Sequence, residues 1–483
     1  MIYIILSIMT PVLMGALIPV WKFGKRTLAR AAYVIAAVSA TCVFTALCFA
    51  KGSSFTLLTL ADSVTIAYGV DRLSVIFAAV FAVSFFVVAV YAPDYIKHEG
   101  HDDRFFAFFL LSLGAMMSLS FSSNLVTMYF SFELLTLVSL PLVLHSGTKE
   151  ASAAALKYLF YSIAGALMGL FGIVVLHPLT ETGALGFVWG GTLLADASSA
   201  MVNIAVFLCI VGFGAKAGMY PMHGWLPSAH PVAPAPASAL LSGIIAKAGV
   251  FSVMRVVFYV VGADIIRDSW VSVTWTTLAA ITVVMGSMMA FREDVLKKRL
   301  AYSTVSNISY IMLGLSLLSP MGELGAVMHF IAHALAKNAL FLAAGSVIYK
   351  TGKTKVSELS GIGRRMPVTM GAFTVAALSL VGIPPLLGFT SKWYLCLAGA
   401  EAGGALAVIV PTVLIISALL TAGYLLPVVI NGYFPGKGGK TPAVDEAPAP
   451  MVFAAVVFAL LSLLTGIFAP ALADMIGAVG AVI

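Results

Sequence analysis

Long runs of apolar residues, separated by short polar segments, follow one another along the whole chain. A helix that crosses a bilayer needs about 20 mostly apolar residues, and about fourteen stretches of this sequence meet that condition. They lie at 2–20, 28–50, 73–93, 105–121, 125–144, 152–176, 202–220, 237–259, 270–290, 299–318, 324–349, 367–388 continuing to 400, 405–431 and 450–475. The pattern predicts an all-α polytopic membrane protein with a single transmembrane domain over residues 1–483.

Proline interrupts two of these apolar stretches. The seventh runs into VGFGAKAGMYPMHGWLP, which contains Pro221, and the twelfth contains LVGIPPLLGFTSKWYL, with Pro384 and Pro385. A lysine lies beside each interruption, Lys216 before the first and Lys392 after the second. Proline cannot donate a backbone hydrogen bond, so we expect spans seven and twelve to be broken helices. In transporters built from two repeats, a pair of interrupted spans marks the ion or substrate site.

The helix that precedes each break has a related sequence. Lys157 stands before Ala-Gly165 at the same spacing as Lys337 before Ala-Gly345. The two helices run in opposite directions in the predicted topology, as in an inverted repeat. We therefore expect a first five-helix repeat at about 105–259 and a second at about 270–431, flanked by helices within 1–93 and 450–475.

Charge is scarce and unevenly distributed. Only 10% of residues are charged and 61% are hydrophobic, whereas a soluble domain has about 25% charged residues. The net charge of +7 comes from basic residues in the odd-numbered loops, which excludes a nucleic-acid partner and predicts that both termini lie on the outer face of a prokaryotic inner membrane. These basic residues are Lys22, Lys25, Arg26, Arg30, Lys97, Arg104, Lys149, Arg292, Lys297, Lys298, Arg299, Lys350, Lys353, Lys355, Arg364, Arg365, Lys437 and Lys440.

Two ionisable residues inside the first half are candidates for a charge pair. Glu133 lies within YFSFELLTLVSLPLV, where a carboxylate should face the protein interior and meet a cation. Lys216 is the candidate partner, either as a pair that opens and closes or as a static salt bridge between helices. Lys247 lies in SALLSGIIAKAGVFSVMR, about ten residues into its span, which disfavours snorkelling to the headgroups. It is interpreted as a proton relay, with a buried structural cation as the alternative.

Three further ionisable residues share one helix face. His329, His333 and Lys337 stand at i, i+4 and i+8, within about 80° of one another and over about 12 Å of helix. Histidine titrates near neutral pH, so this arrangement predicts a proton relay. The His-x3-His spacing also suits zinc, but no third ligand lies near it in the sequence. Ordinary hydrogen-bonded core histidines are the remaining interpretation.

Several other positions complete the candidate path. Lys392 is expected to be its terminal group. Lys157 is a further candidate, although it lies near a helix end where snorkelling competes. His223 and His230, in the proline-rich loop after the first break, are candidates for proton uptake or for hydrogen-bonded loop histidines.

Motifs for energy-yielding chemistry are missing from the sequence. We find no Walker A sequence and no haem-attachment motif, and we interpret the cysteines as small apolar residues. No cofactor and no metal site are therefore expected. An ion gradient or a partner subunit would have to drive transport.

Four segments resemble the antiporter-like membrane subunits of respiratory complex I, Mrp-type cation/proton antiporters and energy-converting membrane-bound hydrogenases. They are PMHGWLPSAHPVAPAPASALLSGIIAKAGVFSVMR, DVLKKRLAYSTVSNISYI, HALAKNALFLAAG and GIPPLLGFTSKWYL. The resemblance implies 14 transmembrane helices, two inverted five-helix bundles, and broken helices seven and twelve. It also implies partners, namely further antiporter-like and small membrane subunits, with a hydrophilic redox arm as a further candidate partner.

The resemblance also assigns roles to residues. It implies that Glu133 and Lys216 are the paired charges of the family, with Lys247 as the central lysine and Lys392 as the terminal one. One complex I branch has glutamate at this last position, so the chain looks more like an Mrp D-type or hydrogenase-type subunit. The connecting path would then consist of His329, His333 and Lys337.

Three functions remain as hypotheses. The first is a proton-translocating subunit of a multisubunit, redox-driven membrane complex. The second is a Na⁺/H⁺ antiport subunit of an Mrp-type complex without a redox partner. The third is a membrane scaffold that anchors a redox arm and transports nothing.

Overall fold

The computed structural model describes residues 1–24, 26–61, 64–180, 185–194, 200–435 and 444–477. Lys25, Lys437 and Lys440, counted above among the loop charges, lie outside the described residues. The helices and strands are α1 Ile2–Trp21, α2 Thr27–Lys51, β1 Ser54–Ala61, β2 Val64–Gly69, α3 Arg72–Glu99, α4 Asp102–Ser120, α5 Leu125–Val143, α6 Lys149–Leu176, α7 Ala200–Ala217, α8 Leu226–Val232, α9 Ala235–Leu240, α10 Lys247–Met254, α11 Ala263–Ile266, α12 Trp270–Arg292, α13 Leu296–Ser316, α14 Pro320–Thr351, α15 Pro367–Val381, α16 Leu387–Ala402, α17 Leu406–Tyr433, α18 Ala449–Ile467 and α19 Ala469–Gly477. Short 3₁₀ turns lie at His177–Leu179, Val356–Glu358 and Ile362–Arg364.

Most of these helices are long enough to cross a bilayer. Within the described residues, 12 helical segments have the length and apolar composition of a membrane span. Two further crossings complete the set: α13, which is long enough but richer in polar residues, and the consecutive helices α15 and α16. The prediction of a helical membrane protein with about fourteen spans is confirmed.

Both predicted helix breaks are present. The seventh span stops at Ala217 and helix resumes at Leu226, so Pro221 lies in the gap. In the twelfth span α15 ends at Val381 and α16 begins at Leu387. A broken helix leaves carbonyl groups without intrahelical partners, and these require other donors. Trp225 supplies one, because its Nε1 donates to the carbonyl of Ala215, 2.9 Å away.

The eighth span contains an irregularity that the sequence did not predict. Two π-helical segments, Leu241–Ile245 and Arg255–Val261, lie on either side of α10. In the first segment the amide of Ala246 donates to the carbonyl of Leu241, 3.0 Å away and five residues back. π-Helical segments are rare, and those that are known frequently lie at functional sites. The segment Leu241–Ile245 ends two residues before Lys247.

A β-hairpin between the second and third spans was also missed, so the protein is not purely helical. Strands β1 and β2 pair in antiparallel fashion. The hairpin lies over the tight turn between α4 and α5, where the amide of Gly69 donates to the carbonyl of Phe121 at 2.8 Å. On the other side of the turn, the amide of Ser123 donates to the carbonyl of Ala67 at 3.1 Å. The segment is too short to span a bilayer, so the hydropathy pattern gave no reason to assign structure to it.

Helix α14 and the eighth span form the centre of the molecule. The most apolar window of α14 is 94% buried and that of the eighth span, Ala235–Val261, is 100% buried, compared with 28% for α1 and 33% for α17. The outer helices therefore present broad apolar faces to lipid, whereas α14 is enclosed by α3, α13, α15, α16 and α18. Its polar side chains consequently lie inside the protein.

Glycine allows α6 and α7 to approach closely. A Cβ atom on Gly165 would clash with the backbone carbonyl of Gly212, and a Cβ on Gly212 would clash with that of Gly165. The two helices are therefore in backbone contact just above the first break. This contact sets the position of the last turn of α7, which carries Lys216.

A buried row of ionisable residues as the candidate functional site

Lys247 lies at the first position of α10 and is fully buried. Its Nζ donates to the carbonyl of Ser242, which belongs to the π-helical segment just before it. The Ser242 hydroxyl in turn hydrogen-bonds to Thr304 on α13, with 2.6 Å between the two oxygens. The amine thus points into the protein and does not snorkel to a headgroup.

Lys337 and His333 lie next on the path, one turn apart on α14. Both side chains are fully buried. Lys337 donates from Nζ to the carbonyl of Leu300 on α13, 2.9 Å away. Neither ring nitrogen of His333 has a hydrogen-bond partner among the described residues. Its charged neighbours are Lys247, Lys337 and His329, so His333 lies between the lysines and the second histidine.

His329 extends the path to the second broken helix. Its ring is roughly parallel to that of His333, with an angle of 23° and 6.3 Å between the centroids. Its Nδ1 hydrogen-bonds to the hydroxyl of Ser391 on α16 at 2.9 Å. On its other face the His329 ring stacks on Tyr310, with 5.0 Å between centroids. The histidine thus connects α14 with the residue that precedes Lys392.

Lys392 lies at the break itself. Its Nζ donates to the carbonyls of Leu380, at 2.6 Å, and Val381, at 3.0 Å, which end α15. The C-terminal end of a helix carries partial negative charge, so this half-helix attracts the amine. Gly382 has φ of 95° and lies against the lysine side chain, a backbone conformation that glycine adopts without strain. Lys392 Nζ is also 5.1 Å from the centre of the Tyr310 ring.

The structure therefore brings Lys247, from the first half, together with ionisable residues predicted for the second half. This row, called here the α14 row, consists of Lys247, Lys337, His333, His329 and Lys392, and both Lys247 and Lys337 act electrostatically on His333. Every member is at least nine-tenths buried. In the part of the chain that the structure describes, no group of three His, Cys, Asp or Glu side chains could hold a metal ion. The α14 row has the composition of a proton path, because its lysine amines flank two imidazoles that both accept and donate.

Lys216 and Glu133 form a separate arrangement in the first half. Lys216 is buried, and its Nζ donates to the hydroxyl of Thr136 on α5, 2.5 Å away. The amine also faces the rings of Phe132 and Tyr158, at 4.7 and 5.5 Å. Glu133 is close enough to attract the lysine electrostatically, but no ion pair between the two is found in the described ranges. One Glu133 oxygen is buried without a partner there, so the predicted pairing remains a prediction.

The three remaining candidates occupy different environments. Lys157 is exposed and donates to the hydroxyl of Ser228 at 3.1 Å, which favours the snorkelling alternative. His223 is half-buried beside Tyr220, near the first break. His230 is fully buried, with its ring 4.8 Å from that of Phe341. The expected loop position of His230 is wrong, because the residue lies in α8. Of the two histidines, only His230 lies beside the α14 row.

Sequence reasoning missed several polar groups. Tyr310, Ser391 and Thr136 each contact a predicted site residue, but nothing in their local sequence indicates which helix they face. An ion pair between the buried Arg255 and the partly exposed Asp71 was missed as well, with N–O distances of 2.5 and 2.8 Å. Arg255 could have been found, because a charge inside a span is costly wherever it occurs.

Comparison with known proteins places this geometry in a family. Residues 122–421, more than half of the chain, match the family described as NADH:quinone oxidoreductase/Mrp antiporter, transmembrane. NADH-quinone oxidoreductase subunit N of Desulforudis audaxviator is 34% identical over 404 residues, which cover 80% of this chain and 79% of that protein. Hydrogenase-4 component B of Escherichia coli is 32% identical over 433 residues, covering 84% of this chain and 63% of that longer protein.

A solved structure supports the same assignment at the level of fold. A chain of the membrane-bound sulfane sulfur reductase, an archaeal respiratory membrane complex, superimposes with a TM-score of 0.87 at 22% identity, covering 99% of this chain and 97% of that one. The family match also includes both helix breaks and all residues from Glu133 to Lys392. The chain therefore belongs to the family of transmembrane subunits shared by NADH:quinone oxidoreductases and Mrp antiporters.

Proposed function

We propose that this chain is a proton-translocating subunit of a multisubunit membrane complex, with the α14 row as its transfer path. The observation that carries the proposal is the continuous burial of three lysines and two histidines around one central helix. Charged groups inside a membrane protein are costly and are retained where ions move. Membership of the family supports partners of the same kind, namely further membrane subunits of a redox-driven or gradient-driven assembly.

In the mechanism that we propose, the proton moves between buried groups that lie within electrostatic reach of one another. Lys247 releases a proton towards His333, and the imidazole accepts it on one nitrogen and releases another from its second nitrogen. His329 receives it next and passes it to Lys392 at the second break. One charge that crosses a potential of 100 mV corresponds to about 2.3 kcal/mol.

Glu133 and Lys216 are proposed to control this transfer. In the present arrangement Lys216 is bonded to Thr136, and the Glu133 carboxylate is free of it. If the lysine moved to the carboxylate, a positive charge would leave its place next to α10, on which Lys247 lies. Opening and closing of the pair would then alternately repel and admit a proton at Lys247.

Protons suit this path better than sodium ions. Sodium, like other hard cations, is bound by oxygen ligands, whereas the α14 row consists of amines and imidazoles. Positively charged amines along the route would also repel a metal cation. Sodium-dependent pH changes in vesicles without an electron donor would instead support the Na⁺/H⁺ antiport alternative.

The orientation in the membrane is inferred from the distribution of basic residues among the loops, and the two repeats are inferred from corresponding sequence features in the two halves. The basic odd-numbered loops favour the cytoplasmic side of a prokaryotic inner membrane, with both termini on the outer face. The halves at about 105–259 and 270–431 each contain a broken helix with a lysine beside it. This correspondence supports two inverted repeats within one transmembrane domain.

The decisive experiment replaces Lys247 with arginine in the assembled complex, reconstituted in vesicles. Arginine keeps the positive charge but does not release its proton, so proton transport should fall by at least about 100-fold. Lys149→Arg, which changes an exposed lysine at the start of α6, serves as the control. Normal transport by Lys247→Arg would contradict the proposal and favour a structural cation in a scaffold subunit.

A further inference from the structure

A half-open cavity of about 260 Å³ lies between the ends of α3, α8, α13 and α14. Glu99, Tyr95, Lys297 and Ala233 are among the residues that line it. All of these belong to the face of the molecule that carries the odd-numbered loops. The cavity has polar walls and room for several water molecules. It is therefore a candidate opening between that face and the interior.

The rim and the wall of the cavity carry opposite charges. Glu99 is exposed at the rim, beside the buried Tyr95. Lys297 is only 8% exposed, and its Nζ donates to the carbonyl of Ala233, 2.8 Å away. The prediction that Lys297 is a loop charge is wrong, because the residue lies in the first turn of α13 and points inward. Glu99 attracts it electrostatically.

His230 lies between this opening and the α14 row. It is fully buried, and neither of its ring nitrogens has a partner within the described parts of the chain. Three positive groups face it from three different elements: Lys297 on α13, Lys337 on α14 and Lys247 on α10. Its fourth neighbour is the apolar ring of Phe341. The histidine thus lies directly behind the cavity wall, which its neighbour Pro231 lines, and it is within electrostatic reach of the lysines of the path.

The surroundings of His230 allow the ring to transfer a proton but disfavour a lasting protonated state of the ring. A neutral imidazole accepts a proton on one nitrogen and releases one from the other. Three positive neighbours repel an additional positive charge, so a proton that reaches this ring is passed on. The same charges repel metal cations, which makes the opening selective for a species that moves by hopping.

On the basis of the proton transport proposed above, we propose that this cavity is the inner mouth of the path. Glu99 gathers protons at the surface and passes them through water in the cavity to His230. The histidine hands each proton to Lys337 or Lys247 when that amine is neutral, after it has released its own proton further along the path. Lys297 is a positioning residue, since it holds the corner between α8 and α9 through Ala233 and excludes other cations.

The test compares two carboxylates on the same face in the reconstituted complex. Glu99→Gln removes the charge at the mouth, and Glu150→Gln removes an exposed charge at the start of α6, away from the cavity. We expect Glu99→Gln to slow proton uptake about tenfold, because an acidic group at a mouth raises the local proton supply. A high concentration of mobile buffer, and the variant Glu99→Asp, should restore the rate. Glu150→Gln should match the unmodified complex.

Two outcomes with the carboxylate variants would overturn the proposal that this cavity is the inner mouth. One is an unchanged rate in Glu99→Gln, and the other is an equal loss in Glu150→Gln, which would point to general surface charge. His230→Phe, which keeps a ring against Phe341, should lower transport by about 100-fold at all buffer concentrations; normal transport would also overturn the proposal. The variant Lys247→Arg separates the two proposals. If it transports protons normally, the whole proposed path is wrong. If Lys247→Arg is inactive but the Glu99 and His230 variants transport normally, only the proposed inner mouth is wrong.

Discussion

The two broken helices carry the same sequence feature and use it differently. Lys392 is held by two backbone carbonyls at the end of α15, and these partners cannot change their charge. Lys216 is instead held by the hydroxyl of Thr136, with the carboxylate of Glu133 nearby. A lysine bound to a helix end has a fixed resting place. A lysine with one neutral and one ionisable partner has two possible resting places. The first break is therefore better suited to act as a switch, and the second is better suited to be the end of the proton path.

The largest effect should follow from interrupting the α14 row in its middle. His333→Phe removes both ring nitrogens without adding a charge, and we expect transport by the reconstituted complex to fall by about 100-fold or more. Met328→Leu, a buried and apolar change on the same helix, is the control and should have little effect. If His333→Phe transported at the normal rate, the row would not be the path.

Thr136→Val should change the balance at the first break. It removes the hydroxyl that holds Lys216, and a hydrogen bond to a charged group contributes about 1.5–3 kcal/mol. Lys216 should then shift to Glu133, and transport should slow by about tenfold or more. Glu133→Gln should slow it too, by removing the other partner. An unchanged rate in both variants would show that the first break does not act as a switch.

A pair of glycines tests whether the position of Lys392 matters. Gly382, with φ of 95°, contacts the Lys392 side chain, whereas Gly403, with φ of 71°, has open space around its Cα. Alanine at either position adds about 1–2 kcal/mol of backbone strain, so both variants should be less stable to heat. Only Gly382→Ala should also slow transport, because it displaces the lysine. An equal loss of transport in both would mean that strain alone explains the effect.

The smallest effect concerns a loop outside both breaks. Burial, together with the nearby Arg104, lowers the pKa of His145 to about 4 from the ordinary 6.5. The folded protein thus keeps this imidazole neutral where the unfolded chain is protonated, so stability should decline as the pH falls from about 6.5 towards 4. His145→Gln should flatten this part of the profile in thermal unfolding measurements. A profile with the same slope in the variant would contradict the assignment.

Local features of the structure could be predicted from the sequence, and features that depend on packing could not. The spans, the proline breaks and the face shared by His329 and His333 follow from hydropathy and helix geometry alone. The partner of Lys216 could not be predicted, because Thr136 and Glu133 lie close together on α5 and only packing decides which one meets the amine. The inward direction of Lys297 was missed for a similar reason, since a basic residue near a span end ordinarily reaches for headgroups.

The ion pair between Arg255 and Asp71 limits how the eighth span can move. Arg255 lies eight residues beyond Lys247 and is enclosed by the rings of Phe187, Phe251 and Tyr259, within 4.9 Å of their centres. The C-terminal half of the span is therefore tethered to the start of α3. If the Lys247 backbone moves, the change in conformation has to occur in the π-helical segment before it. That segment would then act as a hinge, while the half of the span that Arg255 anchors keeps its position.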